Sequence, residues 1–451
     1  MQNIIDKEFT ESQVKHSSLS LSDLYTSVIS YYEQLESQID INVINTKQFD
    51  TPVNFKQAKT IPRHKWYTYK EGFSPLFVKS LIERFSGNNP PIVFDPFGGI
   101  GTTVLESSLM GLISFSNDVN PMSNFISGVK AYHYSEQDKI KITSYLDSFM
   151  TSKLIHKSDP PQNKTVIKYF SELSLDAILK IKYWVDNITE DYIKNFFSLG
   201  LLTILETIST HKKDGNGVKK KKKESGVNSL EHIRLLFSNK IESFLEDMST
   251  THIKVLPQIQ HQSSFNPYNL SKKVDLVITS PPYANCFDYS KVYLVELWFG
   301  EFFKTVSDQK KFRESSIISH VHYSWERDNK NIGSTLINEE INNYLTSQKL
   351  WSKNIPNMLK GYFSDMENVL VQLIPNLKSN ATVGIVVGNS VYAGLPIATD
   401  LLLTEIALNL GFEIQSIEVY RNLSPSSQQS KIIAETSKKY LRESLIILKW
   451  K

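Results

Sequence analysis

Two short stretches carry residues able to do chemistry together. The first is Thr279-Ser280-Pro281-Pro282-Tyr283, which follows an apolar run from Val274 to Ile278 interrupted only by Asp275. Such a run reads as a buried parallel strand ending in a loop, and open α/β sheets place their chemistry at the carboxyl ends of strands. Two consecutive prolines remove two N–H donors. What remains is rich in acceptors: the Ser280 hydroxyl and backbone carbonyls, with the flat ring of Tyr283 beside them. This surface suits a planar base carrying an exocyclic amino group. The lone pair of that nitrogen is delocalised into the ring, and acceptors holding both N–H bonds can tilt it toward tetrahedral geometry. A ring stacked on such a base contributes about 1–3 kcal/mol. Alone, a Pro-Pro-Tyr turn also simply ends a strand, so the reading needs a second site.

Residues 90–121 supply it. Ile92-Val93-Phe94 reads as a short buried strand, followed by Asp95-Pro96-Phe97-Gly98-Gly99-Ile100-Gly101-Thr102-Thr103 and a helix over 104–110. A second strand over 112–116 ends in Asn117-Asp118-Val119-Asn120-Pro121. This is a strand, glycine turn, helix, strand and acid unit. Glycines let backbone approach a ligand closely. Asp118 at the second strand's end is placed to accept from both ribose hydroxyls. The spacing is not GxGxxG, and Asp95 at the first strand's end would repel a pyrophosphate but not an ammonium group. S-adenosylmethionine therefore fits better than NAD. The cofactor-binding candidates here are Asp95, Phe97, Gly98, Gly99, Gly101, Thr102, Asp118 and Asn120. A third strand is predicted over 251–255, which would bring Ser263 near the adenine of the cofactor.

These sites need a scaffold, and the chain is long enough for one. With 451 residues, a prior of roughly 150 residues per domain predicts two or three units, or one domain with large insertions. A 40% hydrophobic content supports a packed core, and 11% aromatics argue against global disorder. The net charge of +3 is small, so any basic footprint must be local. The single cysteine, Cys286, excludes a disulfide framework or a Cys-based zinc site within one chain. Residues 1–10 carry no signal-peptide core, and no apolar run of about 18 residues predicts a membrane span. The chain reads as soluble and cytoplasmic.

Residues 1–45 read as a helical extension, with a periodic helix over 19–37. Residues 46–75 mix aromatic and basic side chains and end in Phe73-Ser74-Pro75, where Ser74 caps a helix that begins at Pro75. Residues 136–250 read as a large helical insertion. Within it the run from Lys212 to Lys223, interrupted by glycines, predicts a flexible solvated loop. Lys212, Lys213, Lys219, Lys220 and Lys221 are candidate phosphate contacts. Residues 291–355 begin with an apolar helix over 292–303 and continue through His320, His322, Tyr323, Trp325, Arg327 and Lys330, a candidate target-reading or lid segment. No Cys or acid pattern completes a metal site around the paired histidines. Strand 381–387, helix 401–410 and a terminal hairpin (412–419 with 443–450) complete the sheet.

The turn from Asp95 to Thr103 together with Thr279-Ser280-Pro281-Pro282-Tyr283 resembles the amino-methyltransferases of DNA. The first matches that family's S-adenosylmethionine motif and the second its catalytic [DNS]-P-P-[YFW] motif. Phe73-Ser74-Pro75 looks like the segment flanking the methionine end of the cofactor, and Asp118 matches the ribose acid. The resemblance implies a Rossmann-like class I methyltransferase with a mostly parallel seven-stranded sheet and a terminal antiparallel hairpin. Its catalytic core would span 46–135, 251–290 and 356–451. It implies double-stranded DNA as partner, base flipping, and a restriction endonuclease as companion. Within the family, Ser at the first catalytic position is typical of cytosine N4 enzymes, so Ser280 points to N4-methylcytosine. Ser280 and the Pro281 carbonyl would accept the amino hydrogens, Pro282 would shape the loop, and Tyr283 would stack on the base. Adenine N6 methylation, an RNA amino-methyltransferase and a non-catalytic nucleic-acid-binding protein keeping the fold stay open as alternatives. Cytosine C5 chemistry needs a Cys nucleophile, and Cys286, three residues after a complete amino-transfer loop, reads as a small semi-buried residue instead.

Overall fold

The computed structural model describes residues 20–44, 57–70, 72, 74–215, 217–222, 226, 229–321, 337–424 and 433–451. Phe73, Lys223, His322, Tyr323, Trp325, Arg327 and Lys330 lie outside the described residues. In chain order the strands are β1 (Ile41–Val43), β2 (Val93–Asp95), β3 (Ser114–Asn117), β4 (His211–Asp214), β5 (Gly217–Lys220), β6 (Gln258–Gln260), β7 (Val274–Thr279), β8 (Leu377–Gly388), β9 (Ser390–Tyr392), β10 (Leu395–Ile397), β11 (Glu413–Asn422) and β12 (Arg442–Lys449). The longer helices are α1 (Leu21–Ser37), α2 (Pro75–Phe85), α3 (Thr102–Met110), α4 (Pro121–Lys130), α5 (Glu136–Thr151), α6 (Glu172–Asp186), α7 (Asp191–Ile208), α8 (Leu230–Thr250), α9 (Val306–Ser315), α10 (Ile355–Leu373) and α11 (Thr399–Asn409).

Eight strands share one sheet in the order β1-β11-β12-β8-β7-β2-β3-β6. Neighbours from β8 to β6 run parallel, and β12 lies antiparallel to both β8 and β11. Six of these lie where the sequence predicts strands, and β6 takes the place of the predicted third strand a few residues further on. The eighth, β1, comes from the N-terminal extension and pairs parallel with β11, Ile41 opposite Ile417. The connection runs from β2 to β3 on one flank and from β7 to β8 on the other. The crevice between β2 and β7 is thus a topological switch point, where open α/β sheets bind ligands.

Both faces of the sheet are covered, which is why the central strands are nearly all apolar. On one face Phe77, Val78, Leu81 and Ile82 of α2 pack against Val93, Leu276, Ile278 and Val386. On the other, residues of α1, α10 and α11 enclose Phe94, Val277, Val383 and Ile385. The one polar residue inside β7, Asp275, accepts from the Ile92 backbone N–H at 2.9 Å and from Lys378 Nζ at 2.8 Å. Helices α5 to α8 build a second apolar core that also takes in Trp66, Tyr67, Tyr69, Phe287, Tyr293 and Trp298. The helical insertion therefore packs directly on the segments that flank both candidate motifs. Among the described residues no helix is long and apolar enough to cross a membrane.

Three local expectations fail. The third strand is β6, not 251–255. Its register sets Asn117 opposite Gln260, while the earlier segment closes the end of α3, with Ile253 packed on Leu105 and the Lys254 N–H bonded to the Ser108 carbonyl. The helix predicted over 292–303 is two short helices, Tyr289–Val292 and Leu294–Phe299, meeting at Tyr293, whose ring stacks on Tyr69 at 4.7 Å between centroids. The lysine run is not a flexible loop through its first half: β4 and β5 form an antiparallel hairpin.

One buried ionic network joins α1, α11 and β12 with Asn389 at the junction of β8 and β9. Asp400 of α11 is fully buried and accepts from Arg442 Nε at 2.7 Å, Ser444 Oγ at 3.0 Å and Asn389 Nδ2 at 2.8 Å. Arg442 Nη1 continues to Glu36 of α1 at 2.7 Å. Removing one partner leaves the guanidinium buried without its main counter-charge. Asp400→Ala is expected to lower the unfolding free energy by about 3–5 kcal/mol in urea titration, and a loss below about 1 kcal/mol would show the network to be dispensable.

Candidate active site

The cofactor turn is built by close packing. A Cβ on Gly98 would lie 1.9 Å from Ser116 Oγ, and one on Gly101 would lie 2.1 Å from Ser127 Oγ. Gly101 also sits at φ +79°, a conformation that favours glycine. These two glycines are held free of side chains by protein neighbours. Gly99, at φ +49°, is the one that faces the open cavity.

That cavity is lined on one side by Phe97, Gly99, Asp118, Val119, Asn120 and Ser264. Asp118 Oδ2 accepts from the Gly99 N–H at 2.8 Å and Oδ1 from the Asn120 N–H at 2.7 Å. A carboxylate offers about four acceptor sites, so two remain for hydroxyl donors. Burial outweighs the two backbone bonds and pushes Asp118 up to about 6. Asn120 caps α4 through Oδ1, while its buried Nδ2 has no partner among the described residues.

Asp95 behaves differently from the expectation that it meets the ligand. It is 1% exposed and does not line the cavity. Its Oδ1 accepts from the Phe97 N–H at 3.0 Å and from Thr279 Oγ1 at 2.7 Å, and its Oδ2 from Thr103 Oγ1 at 2.7 Å. Burial pushes it up to about 6, against these three donors. Asp95 is therefore a clamp between β2, β7 and α3. Thr102 opens α3, buried and off the cavity wall. Ser74 bonds Gln57 Oε1 at 2.7 Å and caps α2. With Pro75 it is buried, and neither lines the cavity. Ser263 lines an adjoining cavity that shares Val119, Phe312 and Ser315 with the first, and its buried Oγ has no partner among the described residues. Its neighbour Ser264, missed from the sequence, reaches the main cavity and donates to the Pro96 carbonyl at 2.7 Å.

The catalytic loop leaves β7 beside β2. Ser280 and Pro282 line the same cavity as Asp118, and Pro281 is buried behind them. Tyr283, expected against a base, is not on the cavity wall. Its ring lies over Gly388, where an added Cβ would come within 2.7 Å, and its hydroxyl donates to Glu443 at 3.2 Å. Arg421 grips that carboxylate through Nε at 2.8 Å and Nη2 at 2.9 Å. The aromatic faces on the wall are Tyr69, Phe97, Phe287, Tyr289 and Phe312. Cys286 is buried at φ +66°, 3.4 Å from the Tyr392 hydroxyl, and burial pushes its thiol up to about 11, which denies it a thiolate at neutral pH.

The far wall comes from α9 and the segment after it, Ile317, Ser319 and His320. Asp288, at the same wall, is 1% exposed and accepts from Arg313 Nη2 at 2.9 Å and Ser290 Oγ at 2.6 Å. Burial works against its charge, but His320, Ser290 and Arg313 hold its carboxyl below the usual range. Behind the turn, the fully buried Lys130 donates to the Ile100 carbonyl at 2.9 Å, and burial lowers it to about 7 despite nearby Glu106. Glu106 in turn pairs with buried His64 at 2.8 Å. Asp288, Arg313 and Lys130 carried no local signal. The five candidate lysines do not act as one group. Lys213 is held between Glu206 and Glu296, and Lys221 donates to the carbonyls of Glu206 and Thr207. Lys212, Lys219 and Lys220 are exposed.

No family model matches the chain. The type II methyltransferase M.BsoBI of Geobacillus stearothermophilus is 27% identical over 449 residues, covering 88% of this chain and 87% of the relative. M.AvaI of Nostoc sp. is 26% identical over 422 residues and 84% of each. The chain is a relative of the type II methyltransferases. M.MvaI of Kocuria varians, 22% identical over 76% of this chain, adds a third such relative. Among solved structures, the rRNA methyltransferase aviRa from Streptomyces viridochromogenes aligns over 84% of this chain at a TM-score of 0.30 and 10% identity, too remote to bear on the fold; the sheet order itself carries it. The relationship implies S-adenosylmethionine as methyl donor. The site fits that group: bare backbone at Gly99, spare acceptors on Asp118 and the unpartnered amide of Asn120 face one cavity.

Two outcomes follow from the buried charges. With two backbone N–H groups already bound, Asp118 keeps acceptors for two ribose hydroxyls only when ionised, so under this assignment S-adenosylmethionine affinity is expected to hold above about pH 6 and fall by up to about tenfold per unit below it. Calorimetry across that range checks it, and an affinity flat down to about pH 5 rules the assignment out. Lys130→Met leaves the Ile100 carbonyl buried and unpaired, at a cost of about 1–3 kcal/mol. The expected result is a lower melting temperature together with at least about tenfold weaker S-adenosylmethionine binding. Loss of stability with unchanged binding would separate Lys130 from the turn.

Proposed function

We propose that this protein is a site-specific DNA methyltransferase that modifies the exocyclic N4 of cytosine in a flipped-out base, within a restriction–modification system. The observation that carries the reading is that Ser280 and Asp118 line one cavity at the sheet's switch point. The type II designation of the relatives supports the restriction–modification setting and a DNA substrate. The serine at the first position of the catalytic motif supports cytosine.

S-adenosylmethionine, when bound, supplies an electrophilic methyl group. Asp118 accepts from its ribose, Gly99 lets the cofactor approach bare backbone, and Asn120 presents its side-chain amide. Ser263, in the adjoining cavity, has a free hydroxyl for the adenine. Taking a base out of the stack costs a few kcal/mol. On the base side, the Ser280 hydroxyl and the Pro281 carbonyl accept the two amino hydrogens and aim the nitrogen's lone pair at the cofactor side of the cavity. Holding both partners in one enclosed space supplies much of the rate. Stacking is assigned to Phe287 and Tyr289, which line the cavity, and Tyr283 holds the loop against β8.

Ser280→Ala is expected to lower methyl transfer by about 10²-fold or more while S-adenosylmethionine affinity stays within about twofold. Wild-type rates in this variant would remove Ser280 from the site. Nucleoside digestion and mass spectrometry of DNA from expressing cells is expected to give N4-methylcytosine. N6-methyladenine in its place would reassign the base.

A further inference from the structure

The hairpin of β4 and β5 divides its lysines into two sets. Lys213 points inward, its ammonium held by Glu296 and, at 3.2 Å, by Glu206, and it lies 5.0 Å from the centre of the Tyr293 ring. Tyr293 stacks on Tyr69, a cavity-wall residue. Lys221 Nζ donates to the carbonyls of Glu206 at 2.7 Å and Thr207 at 3.0 Å, the end of α7, where a cation is favoured. Strand β5 also packs on the Tyr289–Val292 helix, which contributes Tyr289 to the cavity. The hairpin is thus fixed next to the proposed base pocket.

The other set faces solvent. Lys212 and Lys219 are directly opposite each other across the two strands, and both are exposed, as is Lys220. Like charges directly opposite destabilise a strand pair. Asp214 approaches Lys219 at 3.5 Å, and no acidic group pairs with Lys212 or Lys220 among the described residues. An anion seated between Lys212 and Lys219 would turn that repulsion into attraction.

We propose that this hairpin is a preformed clamp on the DNA backbone beside the flipped base, with Lys212, Lys219 and Lys220 contacting phosphates and Lys213 and Lys221 serving as anchors. The proposal rests on the DNA reading given above. Because the hairpin is already ordered, it surrenders little conformational freedom on binding. Backbone contacts carry no sequence information, so the clamp strengthens binding to any duplex alike.

The test compares wild type with Lys212→Gln/Lys219→Gln/Lys220→Gln and with a charge-matched control, Lys157→Gln/Lys180→Gln/Lys438→Gln. Fluorescence anisotropy with a labelled duplex is run over a salt series. Each lost phosphate contact reduces the slope of log K against log salt by about 0.9, so the hairpin variant is expected to lose about 2–3 units of slope. It should bind duplexes of any sequence about 10-fold or more weakly at low salt, while the control tracks wild type. S-adenosylmethionine affinity, read by calorimetry, stays within about twofold in all three. An unchanged slope in the hairpin variant, or an equal change in the control, overturns the clamp alone. Wild-type protein that binds S-adenosylmethionine but no duplex DNA overturns the DNA reading and the clamp with it.

Discussion

The carboxylate of Asp95 sits where three elements meet. Thr279 at the end of β7, Thr103 in the first turn of α3 and the Phe97 N–H of the glycine turn all donate to it. Each donor belongs to a part of the site that must hold position: the catalytic loop, the helix behind the cofactor turn, and the turn itself. The charge is almost wholly removed from water, which is costly, and three hydrogen bonds offset that cost. The acid at the end of the first strand thereby ties the catalytic loop to the cofactor turn through one side chain. Geometry at a reacting centre tolerates errors of only about an ångström, so such a tie has more value here than elsewhere.

The second constraint is that the cavity lies between two cores. The sheet supplies Asp118, Asn120 and Ser280 from strand ends, while the helical core supplies Tyr69, Phe287 and Tyr289. The stack of Tyr69 on Tyr293, nearly parallel at 6° between planes, joins the segment before α2 to the one after the catalytic loop. Tyr293 is also the residue at which the two short helices Tyr289–Val292 and Leu294–Phe299 meet. The wall opposite is held by the Asp288–Arg313 pair, which fixes α9 over the cavity. Residues from Phe312 to His320 thus form a wall of the cavity.

The sequence made legible whatever was demanded locally. Glycines at 98, 99 and 101, an acid at the end of each of two strands, and a double proline after a third are short-range patterns with direct physical causes. The purposes were less legible than the patterns. Gly98 and Gly101 are small because Ser116 and Ser127 press on them, and those serines are 18 and 26 residues away in the chain. The register of β6 depends on pairing with β3 across more than a hundred residues, which the local pattern over 251–255 does not carry. The lysine run was read as solvated because nothing nearby announces that Glu296 waits for Lys213. Lys130, a lysine on a helix, looks like surface until the structure buries it beneath the Ile100 carbonyl.

The position of Tyr283 changes how the catalytic loop should be understood. Its ring fits over Gly388 because that residue has no side chain, and its hydroxyl joins the Glu443–Arg421 pair on the terminal hairpin. The Ala284 carbonyl beyond it accepts from Ser390 Oγ at 2.9 Å and the Tyr392 hydroxyl at 2.8 Å. Five residues of β8, β9, β11 and β12 therefore hold the loop from behind. A loop with no N–H at two successive positions cannot be fixed by its own backbone donors, so its rigidity must come from side chains and carbonyls. The aromatic at the fourth position meets that need here, its ring over Gly388 and its hydroxyl on Glu443, while Ser280 and Pro282 line the cavity.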